Sequence, residues 1–174
     1  MVKQEYMLKN MFKNILLVIT TILLDQYSKL WVIYNLSSHE TLQLFDAKFF
    51  GLNLFLTYNT GVAFGLFHDA NGWQNGLFLL IAIVAACSIL YLIINNKITD
   101  NLEKLALLLV LGGAIGNLID RVVYGHVIDF IDVYAAIKEQ YFHWYTFNIA
   151  DSAICIGVGL LLCSNLLQKS CRAV

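Results

Sequence analysis

Four apolar runs, each long enough to cross a lipid bilayer, constrain this 174-residue chain more than any other feature. They cover about residues 12–33, 73–94, 102–119 and 149–167. At a rise of about 1.5 Å per residue, runs of roughly 17 to 22 residues span a hydrocarbon core about 30 Å thick. Composition agrees: 59% of residues are hydrophobic, 13% are charged, and the mean hydropathy is +0.69, outside the range of ordinary soluble domains. The chain therefore reads as a single integral membrane domain over residues 1–174, a membrane all-α bundle of four transmembrane helices. The first run follows Lys3, Lys9 and Lys13, like a secretory signal peptide. It continues past Asp25 to Trp31 and Ile33 with no small-residue cleavage site after it, so a retained helix is expected.

Lysines and arginines set the expected orientation. Lys3, Lys9, Lys13, Lys97, Lys104, Lys169 and Arg172 lie at the termini or between the second and third runs, whereas Lys48 and Lys138 are the cations of the other two loops that stand clear of a helix end. The positive-inside rule then puts both termini in the cytoplasm and residues 35–72 and 122–148 outside. In the first outer loop Phe50, Leu52, Leu54 and Leu56 alternate with other residues, which predicts a strand with Thr41 to Phe45 as its partner and hence a small extracytoplasmic β-sheet. The glycines of the stretch from Thr57 to Gly65 permit tight turns. In the second outer loop Val133 to Tyr141 is expected to form a short helix, with Trp144 and Tyr145 at the membrane interface.

Against this apolar background, the segment from Asn117 to Asp151 gathers four aspartates. Carboxylates at the edge of a hydrocarbon layer are costly unless paired, hydrated or used. Counting from the cytoplasmic helix ends puts Asp25, Asp120 and Asp151 at one depth, roughly 20 to 24 Å in, with Asp129 and Asp132 just beyond the third helix. Three separate spans thus bring aspartates to one layer near the outer face. Asp25 has Lys29 one turn later and Asp120 is followed by Arg121, so both are expected to be ionised structural or orienting groups. Asp129 and Asp151 have no cation within one helical turn in sequence. Two such carboxylates brought together hold one proton between them, and the pair can activate water and polarise a carbonyl. Asp132 competes with Asp129 for this role but reads more simply as a solvated loop residue.

Other chemistries find little support. His39, His68, His126 and His143 are scattered without zinc-ligand spacing, so no metal or cofactor is expected. Ser28 beside Lys29 points a different way on a helix, no nucleophile elbow or phosphate-binding loop is present, and Cys87, Cys155, Cys163 and Cys171 form no C-x-x-C pair. A net charge of −1 without a basic run argues against nucleic acid. Gly112 and Gly116 form a G-x-x-x-G packing step, and Gly157 and Gly159 are expected to thin the fourth helix in the same way. A proton-coupled transporter would carry ionisable groups through the full membrane thickness, whereas the inner two thirds of these spans is almost wholly apolar. A non-enzymatic scaffold would leave the aspartate cluster unexplained.

Five blocks carry a family resemblance: Asp25-Gln26-Tyr27-Ser28-Lys29; Tyr58-Asn59-Thr60-Gly61-Val62-Ala63-Phe64-Gly65; Gly116-Asn117-Leu118-Ile119-Asp120-Arg121; Val127-Ile128-Asp129-Phe130; and Phe147-Asn148-Ile149-Ala150-Asp151. In this order and in a four-span chain they resemble the signal peptidase II family of bacterial lipoprotein signal peptidases. The resemblance implies an intramembrane aspartyl peptidase of the bacterial inner membrane. Such an enzyme removes signal peptides from diacylglyceryl-modified prolipoproteins just before the lipidated cysteine, works among membrane lipids, and is expected to be a monomer. It implies Asp129 and Asp151 as the catalytic pair, and Asp25, Lys29, Asn59, Gly116, Asn117, Asp120, Arg121, Asn148 and Ala150 as supporting positions. Asn117 and Asn148 would orient the pair or hold the substrate backbone, and Arg121 would brace the site by ion pairing. The family fold it implies is four helices, a sheet cradling the substrate and a short outer helix.

Overall fold

A computed structural model describes residues 2–37, 40–61, 73–95, 97–98, 100–138 and 140–172. Helices α1 (Val2–Asn35), α2 (Trp73–Ile94), α3 (Asn101–Val123) and α4 (Ile149–Arg172) all contain segments long and apolar enough to cross a membrane. Between α1 and α2 lie strands β1 (Thr41–Asp46) and β2 (Phe50–Asn59), and between α3 and α4 lie β3 (Val127–Ile137) and β4 (Gln140–His143). The four strands form one antiparallel sheet in the order β1-β2-β3-β4. The Val62 to Gly65 part of the glycine-containing motif lies outside the described residues.

Helix α3 is the centre of the bundle: it packs against α1, α2 and α4, and among the described residues it is the main neighbour of α2. Small residues explain the close approach. A Cβ added to Gly112 would sit 2.8 Å from Thr21 Cβ, and one added to Gly116 would sit 2.6 Å from Asp25 Oδ2. The two glycines one turn apart thus admit α1, as the G-x-x-x-G spacing predicts. Gly157 plays that part on α4, against the Ala106 carbonyl and Val110, but Gly159 faces open space and thins nothing. Two residues apart on a helix, the pair cannot share one face.

The sheet sits on the end of the bundle at which α1 finishes and α4 begins. Val32 of α1 and Leu36 just past its end pack with Leu56, Ile128 and Phe130 of the two central strands. Buried away from water, side chains of this size contribute about 1.5–3 kcal/mol each, so this cluster fastens sheet to helix. Gly125, with φ of 77°, makes the turn from α3 into β3; its N–H closes on the Arg121 carbonyl at 3.2 Å, a helix end that favours glycine.

The expected short helix from Val133 to Tyr141 is corrected by the structure: Val133 to Ile137 continues β3, and Tyr141 belongs to β4. The reason lies in the residues before it. From Val127 the chain is rich in β-branched and aromatic side chains, with Ile128, Phe130, Asp132 and Tyr134 buried at every second position. A strand period therefore overrides the weak helical preference of Ala135 and Ala136. Lys138, at φ of 48°, turns the chain back into β4.

The pairing of β2 with β3 contains an irregularity that matters for the site. Leu54 lies opposite Ile131 and Thr57 opposite Asp129, so β2 carries one extra residue there. Such a bulge reverses which face later side chains occupy. Asn53 and Asn59 are an even number apart, yet Asn53 bonds Asp132 and Asn59 bonds Asp129, which lie three residues apart on opposite faces of β3.

Candidate active site

Asp129, Asp151, Asn59, Asn117 and Arg121 line one cleft of about 690 Å³, together with Phe78 of α2, Val127, the segment from Trp144 to Phe147, and Ile154 to Ile156 of α4. Polar groups therefore stand among largely apolar lining residues.

Asn148 joins the two aspartates. Its Nδ2 donates to Asp129 Oδ1 at 2.7 Å and lies 3.2 Å from both the Ile128 carbonyl and Asn117 Oδ1. Its Oδ1 accepts the Asp151 N–H at 2.8 Å, while its own backbone N–H donates to Asp151 Oδ2 at 3.3 Å. This reciprocal pair is a capping box at the start of α4. Helix capping thus fixes the Asp151 carboxylate as it satisfies the helix end. Asn117 Nδ2 donates to the other oxygen, Asp151 Oδ1, at 2.8 Å. Asp129 is held similarly: Asn59 Nδ2 donates to its Oδ2 at 2.9 Å.

Asp129 is only 2% exposed. Burial in these surroundings, with the negative charge of Asp151 adding to it, pushes its carboxyl up to about 6; the amides of Asn59 and Asn148 and the Lys29 ammonium oppose the rise. The order of effects makes Asp129 a group that keeps a proton well above the usual carboxylate range.

Behind the cleft lies a fully enclosed ionic group. Lys29 Nζ sits 2.8 Å from Asp25 Oδ2 and 2.7 Å from Asp120 Oδ2, and donates its remaining hydrogen to Asn117 Oδ1 at 3.0 Å. Gln26 Nε2 lies 2.8 Å from Asp120 Oδ1, 3.1 Å from Asp25 Oδ2 and 3.1 Å from the Gly116 carbonyl. The Asp25–Lys29 pair follows its one-turn spacing. The cation of Asp120 is Lys29, not the adjacent Arg121, because neighbouring helix residues project about 100° apart. Arg121 faces the cleft, where its guanidinium donates to Asn75 Oδ1 at 3.0 Å and to the Gly61 carbonyl at 3.2 Å and lies over the Phe78 ring. Among the described residues its hydrogen-bond acceptors are neutral, not the carboxylate partner that the resemblance implied.

All nine supporting positions converge here: Ala150 packs near Gly116, and its N–H meets Asp25. Asp132 does not join them. It is 6% exposed rather than solvated, and on the opposite sheet face it accepts from Asn53 Nδ2 at 2.9 Å and contacts His143 Nδ1 at 2.9 Å. Sequence reasoning passed over three groups, Gln26, Asn75 and Asn53. Each is a polar residue within an apolar helix or alternating strand, which was the available signal.

Fold and site define a multi-pass membrane protein with two linked carboxylates on a cleft at one end of its helix bundle. The profile described as "Signal peptidase (SPase) II" matches residues 17–167. Proteins named lipoprotein signal peptidase are similar to the chain. That of Buchnera aphidicola subsp. Schizaphis graminum is 41% identical over 152 residues, covering 87% of this chain and 91% of the relative. That of Psychromonas ingrahamii is 38% identical over 151 residues, covering 87% and 83%. A solved bacterial membrane enzyme aligns with a TM-score of 0.76 at 30% identity, covering 91% of this chain and 90% of the other. A second gives 0.71 at 30% identity over 88% and 92%. The chain belongs to the signal peptidase II family and is a peptidase of the aspartic type.

Proposed function

We propose that this protein cleaves diacylglyceryl-modified prolipoproteins just before the lipidated cysteine, using Asp129 and Asp151 as a proton-sharing pair. The observation that carries the reading is the bridge through Asn148, which ties both carboxylates into one hydrogen-bonded unit on the cleft wall. One member, ionised, takes a proton from water as the water oxygen bonds to the scissile carbonyl carbon. The other, protonated, gives its proton to the carbonyl oxygen. Collapse of the resulting diol breaks the C–N bond: the amine leaves with a proton from the pair, and the diol returns one to it. No covalent enzyme intermediate is required.

The cleft suits such a substrate chemically. Phe78, Ile154 and Ile156 offer apolar contact to lipid chains or a signal-peptide helix, and the sheet side offers Asn59, Val127 and Trp144 to the extended segment around the bond. Both termini would face the cytoplasm and the cleft the outer side, which matches the lysine and arginine distribution. A scissile bond next to a lipidated residue lies near that interface, since its acyl chains stay in hydrocarbon.

The test is cleavage of a lipid-modified prolipoprotein by the reconstituted enzyme, comparing wild type with Asp129→Asn and Asp151→Asn. Both substitutions should abolish product while leaving a folded protein. Normal turnover by either variant would remove that residue from the pair.

A further inference from the structure

Among the described residues, an ion triad in which two carboxylates share one ammonium is almost wholly enclosed. Asp25 and Asp120 are each 0% exposed and Lys29 is 1% exposed. Taking three charges out of water is costly, and a buried ion pair is seldom a net source of stability. Glycine packing already joins α1 to α3, so the triad calls for another purpose.

The oxygens of its carboxylates point to one. Asp25 Oδ1 accepts the N–H of Ala150 at 2.8 Å, the residue immediately before Asp151. Asp120 Oδ2 accepts the N–H of Ile128 at 3.1 Å, the residue immediately before Asp129. Lys29 links the two carboxylates, and the Gln26 amide reaches both. Through Asn117, the third hydrogen of Lys29 also fixes which way an amide faces Asp151. Two carboxylates from α1 and α3 thus hold the backbone beside each member of the pair, one on α4 and one on β3.

We propose that Asp25, Lys29 and Asp120, assisted by Gln26, form a clasp that sets the separation of Asp129 and Asp151, its two carboxylates offsetting the Lys29 ammonium that lies beside the pair. These are positioning residues, and the inference rests on the reading of Asp129 and Asp151 as the working pair. Among the described residues the charged groups around that pair are Asp25 and Lys29 from α1 and Asp120 and Arg121 from α3; β2 supplies neutral Asn59. Neutralising Asp120 changes the clasp from one net negative charge to none and leaves Arg121 as it was.

Asp120→Asn and Asp120→Ala separate the two effects in the full-length enzyme acting on a lipid-modified prolipoprotein. Asparagine keeps an oxygen for the Ile128 N–H and for Lys29; alanine keeps neither. Asp120→Asn should move the kcat–pH profile to lower pH by roughly half a unit or more, because less negative charge makes the pair easier to ionise. Asp120→Ala should lower kcat by about 100-fold, the scale of a misplaced reacting group, with KM little changed. An unshifted profile for Asp120→Asn, or wild-type kcat for Asp120→Ala, would overturn the clasp. If the alanine variant does not fold, the asparagine profile decides. Asp129→Asn serves as control: cleavage by it would overturn the pair itself, whereas an inactive Asp129→Asn beside an unshifted Asp120→Asn would overturn only the clasp.

Discussion

Asp129→Asn should make this protein more resistant to unfolding at neutral pH while abolishing cleavage, and the magnitude follows from the burial of that carboxyl. Its folded value of about 6 lies above the reference of 3.8. The folded protein therefore binds the proton more tightly than the unfolded chain, and stability falls as pH rises from about 4 through about 6. About two pKa units at about 1.4 kcal/mol each gives a loss of about 3 kcal/mol. Asparagine cannot ionise and escapes that loss. It does forfeit one hydrogen bond, because Asn59 and Asn148 both donate to Asp129 and an amide offers one acceptor oxygen; that costs about 1 kcal/mol at any pH. Unfolding of wild type and variant in the same detergent at pH 4 and at pH 7.5 cancels the hydrogen-bond effect. The variant's advantage should grow between the two by about 2.4 kcal/mol, since pH 4 lies close to the unfolded value, roughly a 60-fold change in the unfolding equilibrium. An equal difference at both pH values would refute the claim that the fold holds Asp129 protonated.

Cleavage should fall on the alkaline side as the shared proton is lost, with a limb for kcat/KM near the Asp129 value of about 6 and a limb for kcat at higher pH, where bound substrate excludes water; a flat profile from pH 5 to 9 would contradict it. Asp132→Asn should leave cleavage within about threefold of wild type and cost about 1–3 kcal/mol of stability, since Asp132 faces Asn53 and His143 on the other sheet surface. Loss of turnover with normal folding would shift the pair from Asp129 to Asp132. Gly116→Ala should lower activity and thermal midpoint together, because the added methyl meets Asp25 Oδ2 at 2.6 Å and that oxygen is already fixed by Lys29. An alanine variant matching wild type in both assays would show that α1 can retreat freely.

The membrane-spanning plan was legible because it depends on long apolar runs, and the meeting of Asp25 and Asp120 with the start of α4 because helix rise brings equal residue counts to one level along the bundle. The Asp25–Lys29 pair followed from a one-turn spacing within a single helix. The Asp120–Lys29 pair did not, since it joins residues 91 positions apart in the numbering through the approach of α1 to α3 at Gly116. Proximity in sequence favoured Arg121 and misled. The β3–β4 hairpin was obscured for a related reason: Ala135, Ala136 and Lys138 read locally as helix, whereas the pairing of β3 with β2 comes from a segment about 80 residues earlier. Asp132 read as solvated because nothing local reveals that Asn53 covers it.

The extra residue in β2 gives this sheet a sense of phase. Upstream of it, positions of Asn53's parity face the Asp132 side; downstream, the same parity faces the cleft. A change in chain length between Asn53 and Asn59 is therefore counted in twos. Adding or removing one residue would carry the amide of Asn59 to the wrong surface and leave Asp129 short of a donor, even with every helix intact. Relatives that vary in length here should differ by pairs of residues, or move the bulge with them.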